Sequence, residues 1–428
     1  MRRPRSIALT VLGTAFAVLA GPTVAHAAVP VTASKSCPSP GGATISKASV
    51  PSGAVKIYGG GWGHGMGMSQ YGAQGAAKLG CDYKTILKTY YYDASLSKKN
   101  LNAPVVLNLA SGATTSKLQA ETGTVKWAGP TRSVVQPKGS TWLVRNYSIK
   151  GNPGIALFDQ DGKRRMFVQS AAVLSASHTG KVVNVYPYGG SSALSTRYDT
   201  ASYVRSGSGI KVTETIKASG GQTAVQKYLM GLGEVPVSWP IEALKAQTVA
   251  ARTFLSTKYN ASADAYVLSS GTADQVYKGY AVESVDEKNG GNWRKAVLAT
   301  DDQVIVDKAG RTIEALYSSS MGGYTENREY VWGKYEISYL KPVDDSRWDA
   351  ASSNPYRSWS VGMTKAAFAK KFGFDSVSSY SVAARGSAKR LDGVKITGKV
   401  AGRKVTKTFT GADARYRLGL RSPGFTFG

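Results

Sequence analysis

Glu234 stands in the run Gly231-Leu232-Gly233-Glu234-Val235-Pro236, just ahead of a helix opened by Pro240. An acid at a tight junction between two apolar helices is partly desolvated. Desolvation disfavours the charged form and raises a carboxyl above its ordinary value. A carboxylic acid kept protonated in this way can donate to a leaving oxygen. The same residue could instead cap a helix end or pair with Lys245, and spacing alone does not separate the two. Lys245, Gln247 and Arg252 follow on consecutive turns of the Pro240 helix. Two cations and an amide there could orient the acid or hold the acetamido and hydroxyl groups of a sugar. The plainer alternative is a solvated face on which Glu242 pairs with Lys245.

Further polar clusters lie downstream. Gln275 and Tyr277 sit in Asp274-Gln275-Val276-Tyr277-Lys278-Gly279, and Ser319, Ser320, Gly322, Gly323, Thr325 and Glu326 crowd a second turn before Trp332. Small hydroxyls and amides beside an aromatic face suit carbohydrate. Upstream, Gly59 to Ala73 sets Trp62 and His64 among six glycines before running into Ser69-Gln70-Tyr71. Glycine in an ordered element costs about 0.5–1 kcal/mol relative to Ala, so such a run points to an unusual backbone path. His64 is read as a site residue, against the alternative of a packed imidazole in a strand-to-helix turn.

Other chemistries find little support. There is no H-E-x-x-H and no paired cysteine motif, and His178 is far from His64 in sequence, so no catalytic metal and no cofactor are expected. No G-x-S-x-G elbow marks a serine hydrolase. Cys37 and Cys81 are expected to form one disulfide after export, with two free thiols as the alternative.

The elements that must position these residues are of mixed type. Arg2, Arg3 and Arg5, the apolar run Ile7 to Leu19 and the Ala25-His26-Ala27 site read as a Sec-type signal peptide over 1–27, which makes the product secreted to the cell wall or beyond. Residues 28–52 read as a Pro/Ser-rich arm. Residues 53–103 hold the glycine box and two helices, Ser69 to Leu79 and one capped by Asp82. Residues 104–200 alternate β-branched runs with turns and read as a strand-rich inserted subdomain; Asp159-Gln160-Asp161-Gly162 within it is a hairpin turn. Residues 201–428 carry the Pro240 helix, with Leu244, Thr248, Ala251 and Leu255 as one stripe and Lys245 and Arg252 on another, then strands at Gln303–Asp307 and Thr312–Tyr317. The fold class is α+β, mixed helices and short antiparallel strands around a glycan-binding groove. The 428 residues carry 54 basic and 27 acidic side chains, a net charge of +27. In an exported protein without nucleic-acid motifs this charge points to anionic wall polymers and not to nucleic acid.

Tyr228 to Phe254 (Y-L-M-G-L-G-E-V-P-V-S-W-P-I-E-A-L-K-A-Q-T-V-A-A-R-T-F) resembles the central signature of the stage II sporulation protein D / amidase enhancer family. D-Q-V-Y-K-G at Asp274, S-S-S-M-G-G-Y-T-E-N at Ser318, V-W-G at Val331 and L-G-L-R-S-P-G-F-T-F at Leu418 continue the resemblance in order. It covers residues 203–428 plus the glycine box, which in the usual family order follows the last strand and here precedes everything else. The resemblance implies a peptidoglycan lytic transglycosylase acting on strands stripped of stem peptides. Glu234 would be the single acid/base that cleaves the MurNAc–GlcNAc bond and leaves 1,6-anhydro-MurNAc ends. Lys245, Gln247, Arg252, Gln275, Tyr277, Ser320, Gly322, Gly323 and Thr325 would bind substrate, joined by His64, Ser69 and Gln70 if the box folds back. Some members hold zinc, for which no His/Cys set is visible here. The alternative the family name allows is a non-catalytic wall-glycan binder that enhances an N-acetylmuramoyl-L-alanine amidase.

Overall fold

The computed structural model describes residues 37–333, 335–386 and 391–428. The expected signal peptide lies outside the described residues. Among the described residues, no helix is long and apolar enough to cross a membrane.

The molecule is α+β, with small sheets set around a helical centre. That centre is the helix Ile241–Ser256, entered through Pro240. It packs against the helices Gln70–Lys78, Tyr83–Tyr90 and Asn292–Ala299 and the strand Gln303–Val306. Ala243, Ala246, Ala250 and Ala251 let neighbours approach it closely, and every residue from Ala243 to Leu255 except Lys245 is buried. A helix surrounded in this way has no solvent face on which to carry a row of polar groups. Its flanking helices are defined by side-chain caps. Ser69 accepts from Gly72 N–H at 3.1 Å, Asp82 from Thr85 N–H at 2.7 Å, and Thr223 and Gln226 form a reciprocal capping box at the helix Ala224–Met230.

The strand-rich region forms two sheets. One has six strands; the other has eight and includes Val105–Ala113, Thr200–Ser206 and Gly209–Ile216. The strand Ala265–Ser269 joins the larger sheet in parallel with Val105–Ala113, so this region shares its core with the central helix. The Asp159 turn closes the hairpin between Asn152–Phe158 and Arg164–Gln169. A second, smaller core is built from Val55, Ile57, Trp359, Phe368, Phe372 and Phe425. It lies under a three-stranded sheet whose middle strand is Val55–Gly59, the segment that feeds the glycine box.

That middle strand pairs with Phe425–Phe427, Ile57 opposite Phe427 and Gly59 opposite Phe425. Box and C-terminus are therefore neighbours in space although they lie at opposite ends of the chain. A segment attached at either end would reach the same sheet. Residues 312–316, expected to form a strand, make only an isolated bridge at Thr312; Tyr317–Ser318 is the part that pairs. Proximity to the box, and not the β-branched residues ahead of it, decides where pairing occurs.

Cys37 and Cys81 are disulfide-bonded, anchoring the N-terminal arm at the end of the box helix. The arm then runs past Trp348, whose indole N–H donates to Pro38 O at 3.0 Å. Closing a loop of 44 residues restricts the unfolded chain. Cys37→Ser should lower unfolding free energy by about 2–4 kcal/mol in denaturant melts, an effect reproduced in the wild type by reductant.

Candidate active site

Two glycine-rich turns meet backbone to backbone. Trp62 N–H donates to Ser320 O at 2.7 Å and Ser320 N–H to Trp62 O at 3.1 Å. Gly61, at φ +85°, faces Ser320 O so closely that a Cβ would lie 2.6 Å from it; a Cβ on Gly322, at φ +65°, would lie 2.7 Å from the Gly60 carbonyl carbon. Only glycine supplies both the backbone angle and the clearance. The contact continues as a parallel pairing of Met68–Ser69 with Tyr317–Ser318. Gln70 and Tyr317 thereby arrive beside Glu234.

Glu234 is half-buried at the wall of an open cavity of about 610 Å³. Its Oε1 accepts from Val276 N–H at 2.6 Å. Burial pushes its carboxyl above the ordinary value of 4.5, and hydrogen bonds from Val276 N–H, the Gln70 amide and the Tyr317 hydroxyl, with the nearby Lys278 charge, restrain the rise. A chain of donors fixes the Tyr317 hydroxyl. Tyr228 OH donates to Gln275 Oε1 at 2.8 Å, and Gln275 Nε2 donates to Tyr317 OH at 2.7 Å. The Tyr317 hydroxyl is thereby fixed near Glu234, where it favours the carboxylate. Burial, and then the Glu234 charge, hold that phenol far above its ordinary range, so it stays a donor. Gln247 acts one step further back, its Oε1 accepting from Gln70 Nε2 at 3.3 Å.

The rest of the cavity wall is set by the box and the later turns. His64 Nδ1 accepts from Met66 N–H at 3.0 Å while Nε2 lies 3.0 Å from Tyr317 O. This pattern assigns the ring proton to Nε2 and makes His64 a strut between the two turns. Trp62 and Trp332, both more than 40 % exposed, line the same cavity. Two further carboxylates there are each held by a cation: Asp274 by Lys258 at 2.7 Å and Glu314 by Arg328 at 3.7 Å.

Several sequence-predicted residues lie elsewhere. Arg252 is fully buried and donates to the carbonyls of Val297, Thr300 and Gln303, closing the end of the helix Asn292–Ala299. Burial lowers its pKa to about 10. Lys245 pairs with Glu242 at 2.7 Å, and Glu242 accepts from Tyr83 N–H at 2.9 Å, so the pair staples two helices together. The expected common face of Lys245, Gln247 and Arg252 is thus three separate environments. Tyr277 stacks on Tyr228 with ring centres 5.5 Å apart, supporting the wall from behind. Ser320 accepts from Asn354 Nδ2 at 2.7 Å, and Thr325 Oγ1 accepts from Val343 N–H at 2.7 Å. Ser69 is spent on its helix cap, and Gly322 and Gly323 shape the turn at positive φ. Tyr317 and Arg415 line the cavity without having been singled out. For Tyr317 the available signal was its place directly before the Ser318 turn.

Among the described residues, no three His, Cys, Asp or Glu side chains are grouped to hold a metal. Both cysteines are in the disulfide and both His64 nitrogens are engaged, so the donors a zinc ion would need are not on hand.

A family model described as stage II sporulation protein matches residues 219–306, the segment holding Glu234, Gln247 and Gln275. Through this segment the chain is similar to the stage II sporulation protein D / amidase enhancer family. It is 38 % identical over 164 residues to the amidase enhancer of Bacillus subtilis (strain 168), covering 38 % of this chain and 20 % of that protein. It is 31 % identical over 233 residues to stage II sporulation protein D of the same organism, covering 50 % of this chain and 64 % of that protein. The Bacillus amyloliquefaciens protein of that name is 30 % identical over 234 residues, covering 50 % and 63 %. The chain thus spans less than two thirds of the length of these relatives. No solved structure matches it. Within the family segment, Arg252 and Lys245 hold the helical framework, while Glu234 presents a carboxyl with a raised pKa to the cavity.

A carboxyl whose pKa is raised on folding contributes stability that is present below its unfolded value and is lost as pH rises through the folded one. Glu234→Gln removes that loss. Its stability relative to the wild type should therefore increase as pH is raised from below 4.5 toward 7, measured by denaturant melts across that range.

Proposed function

We propose that this chain is an exported peptidoglycan lytic transglycosylase that cleaves the MurNAc–GlcNAc bond of glycan strands stripped of stem peptides. The observation that carries the proposal is Glu234, a carboxyl with a raised pKa that accepts from Val276 N–H at the wall of an open cavity lined by Trp62 and Trp332. Protonated, it gives its proton to the glycosidic oxygen as the bond to the MurNAc anomeric carbon breaks. The resulting carboxylate then takes the proton of the MurNAc C6 hydroxyl, whose oxygen closes on the anomeric carbon as a 1,6-anhydro ring. One group performs both transfers, and it ends in the state in which it began. A glycosidase acting by two carboxylates needs a second acid or base free to act. Asp274 and Glu314, ion-paired with Lys258 and Arg328, do not suit that role, which favours the single-acid route.

Tyr317 and Gln70 stabilise the carboxylate formed at the midpoint, and the exposed tryptophans offer faces for sugar rings. In this reading the box and residues 201–428 together form the catalytic unit, and residues 104–200 are an insertion whose strands extend it. The net charge of +27 favours association with anionic wall polymers after export. A second reading rests on the 38 % identity to a protein named amidase enhancer: the chain binds wall glycan without cutting it and stimulates a cell-wall amidase.

The purified chain and its Glu234→Gln variant, incubated with denuded glycan, separate the two. Anhydro-ended fragments detected by mass from the wild type, with at least about a hundredfold less from the variant, are expected. Intact glycan in both samples, with binding retained, would favour the second reading.

A further inference from the structure

Two cations line the Glu234 cavity among the described residues. Lys258 is neutralised by Asp274. Among the described residues, Arg415, on the helix Gly411–Leu418, has no acidic partner, and its hydrogen bond is from Nε to Leu420 O at 3.3 Å. That bond holds one edge of the guanidinium and leaves the NH2 groups unengaged. Arg415 also lines a second cavity of about 570 Å³, which shares His64 and Trp332 with the first. The cation therefore stands in the wall that the two cavities share, beside a half-exposed indole.

A half-buried guanidinium without a counter-charge carries a desolvation cost that the protein leaves uncompensated. Burial alone lowers the Arg415 pKa, with no neighbouring charge opposing it. Such an arrangement is stable in use when a ligand supplies the anion, and two free N–H groups of one guanidinium match the two oxygens of a carboxylate. The chemistry of the glycan offers one candidate. The sugar hydroxyls and acetamido groups are neutral, but the lactyl arm of MurNAc ends in a carboxylate once the stem peptide has been removed. While the peptide is attached, that carbon is a neutral amide.

We infer that Arg415 binds the free lactyl carboxylate of a MurNAc unit and is the residue by which the site distinguishes stripped from peptide-bearing glycan. The inference rests on the transglycosylase reading for its substrate, and its own test reads binding and not cleavage. Trp332 supplies the adjacent ring face, while Lys258 remains committed to Asp274.

The test uses the full chain carrying Glu234→Gln, so that glycan is not consumed. Two probes are made from one denuded oligosaccharide, one with free lactyl carboxylates and one with those groups converted to methylamides. Calorimetry should show a preference for the carboxylate form of about tenfold or more, as expected of a charge-assisted pair. Arg415→Gln should bring that ratio close to one, and Arg415→Lys, which keeps the charge, should retain part of it. Circular dichroism melts check that both variants fold. An unaltered preference in Arg415→Gln, or equal binding of the two probes by the parent, would overturn the inference and leave the transglycosylase reading standing. Failure of the parent to bind either probe would overturn both.

Discussion

The close approach of two glycine-rich turns is the constraint on which the site depends. Gly61 and Gly322 let two stretches of backbone touch where a Cβ on either would collide. Only at that separation can Met68–Ser69 pair with Tyr317–Ser318, and only through that pairing do Gln70 and Tyr317 flank Glu234. The glycine box does not carry the reactive group. It is the hinge plate that brings a helix start and a phenol to an acid lying far along the chain. His64, bonded to Met66 N–H and aligned with Tyr317 O, ties the same junction from the side.

Burial and hydrogen bonding act on Glu234 in opposite directions, and both are needed. Desolvation alone would favour a permanently neutral acid; full hydrogen bonding alone would favour a permanent carboxylate. Here burial leads, and three donors limit it. The donors are themselves fixed: Gln70 by Gln247, Tyr317 by Gln275, and Gln275 by Tyr228. An acid that must be proton donor in one step and acceptor in the next is suited by such a balance.

Much of this was legible in the sequence. The cap residues Ser69 and Asp82 mark real helix starts, because a side-chain oxygen before an apolar periodic run has one obvious use. Glu234 stood out through its glycine and proline neighbours. The Lys245–Gln247–Arg252 face did not hold, since a helix packed on all sides sends equally spaced residues into unrelated surroundings. Arg252 reads as a ligand-binding cation until the helix Asn292–Ala299 appears behind it with carbonyls to satisfy. The parallel strand Ala265–Ser269 and the short pairing at Tyr317 were also hidden, because each is made by a partner distant in sequence and not by its own residues. Arg415 could not be recognised as unpaired without knowing which acids its helix faces.

Burial holds Glu234 above the ordinary carboxyl range, and its donors keep it within reach of ionisation. The most direct measurement is the titration of its side-chain carboxyl by ¹³C NMR in the wild type and in Tyr317→Phe. A midpoint above 4.5 is expected in the wild type, and a still higher one when the phenol donor is removed. A wild-type midpoint at or below 4.5, or a fall in the variant, would contradict it.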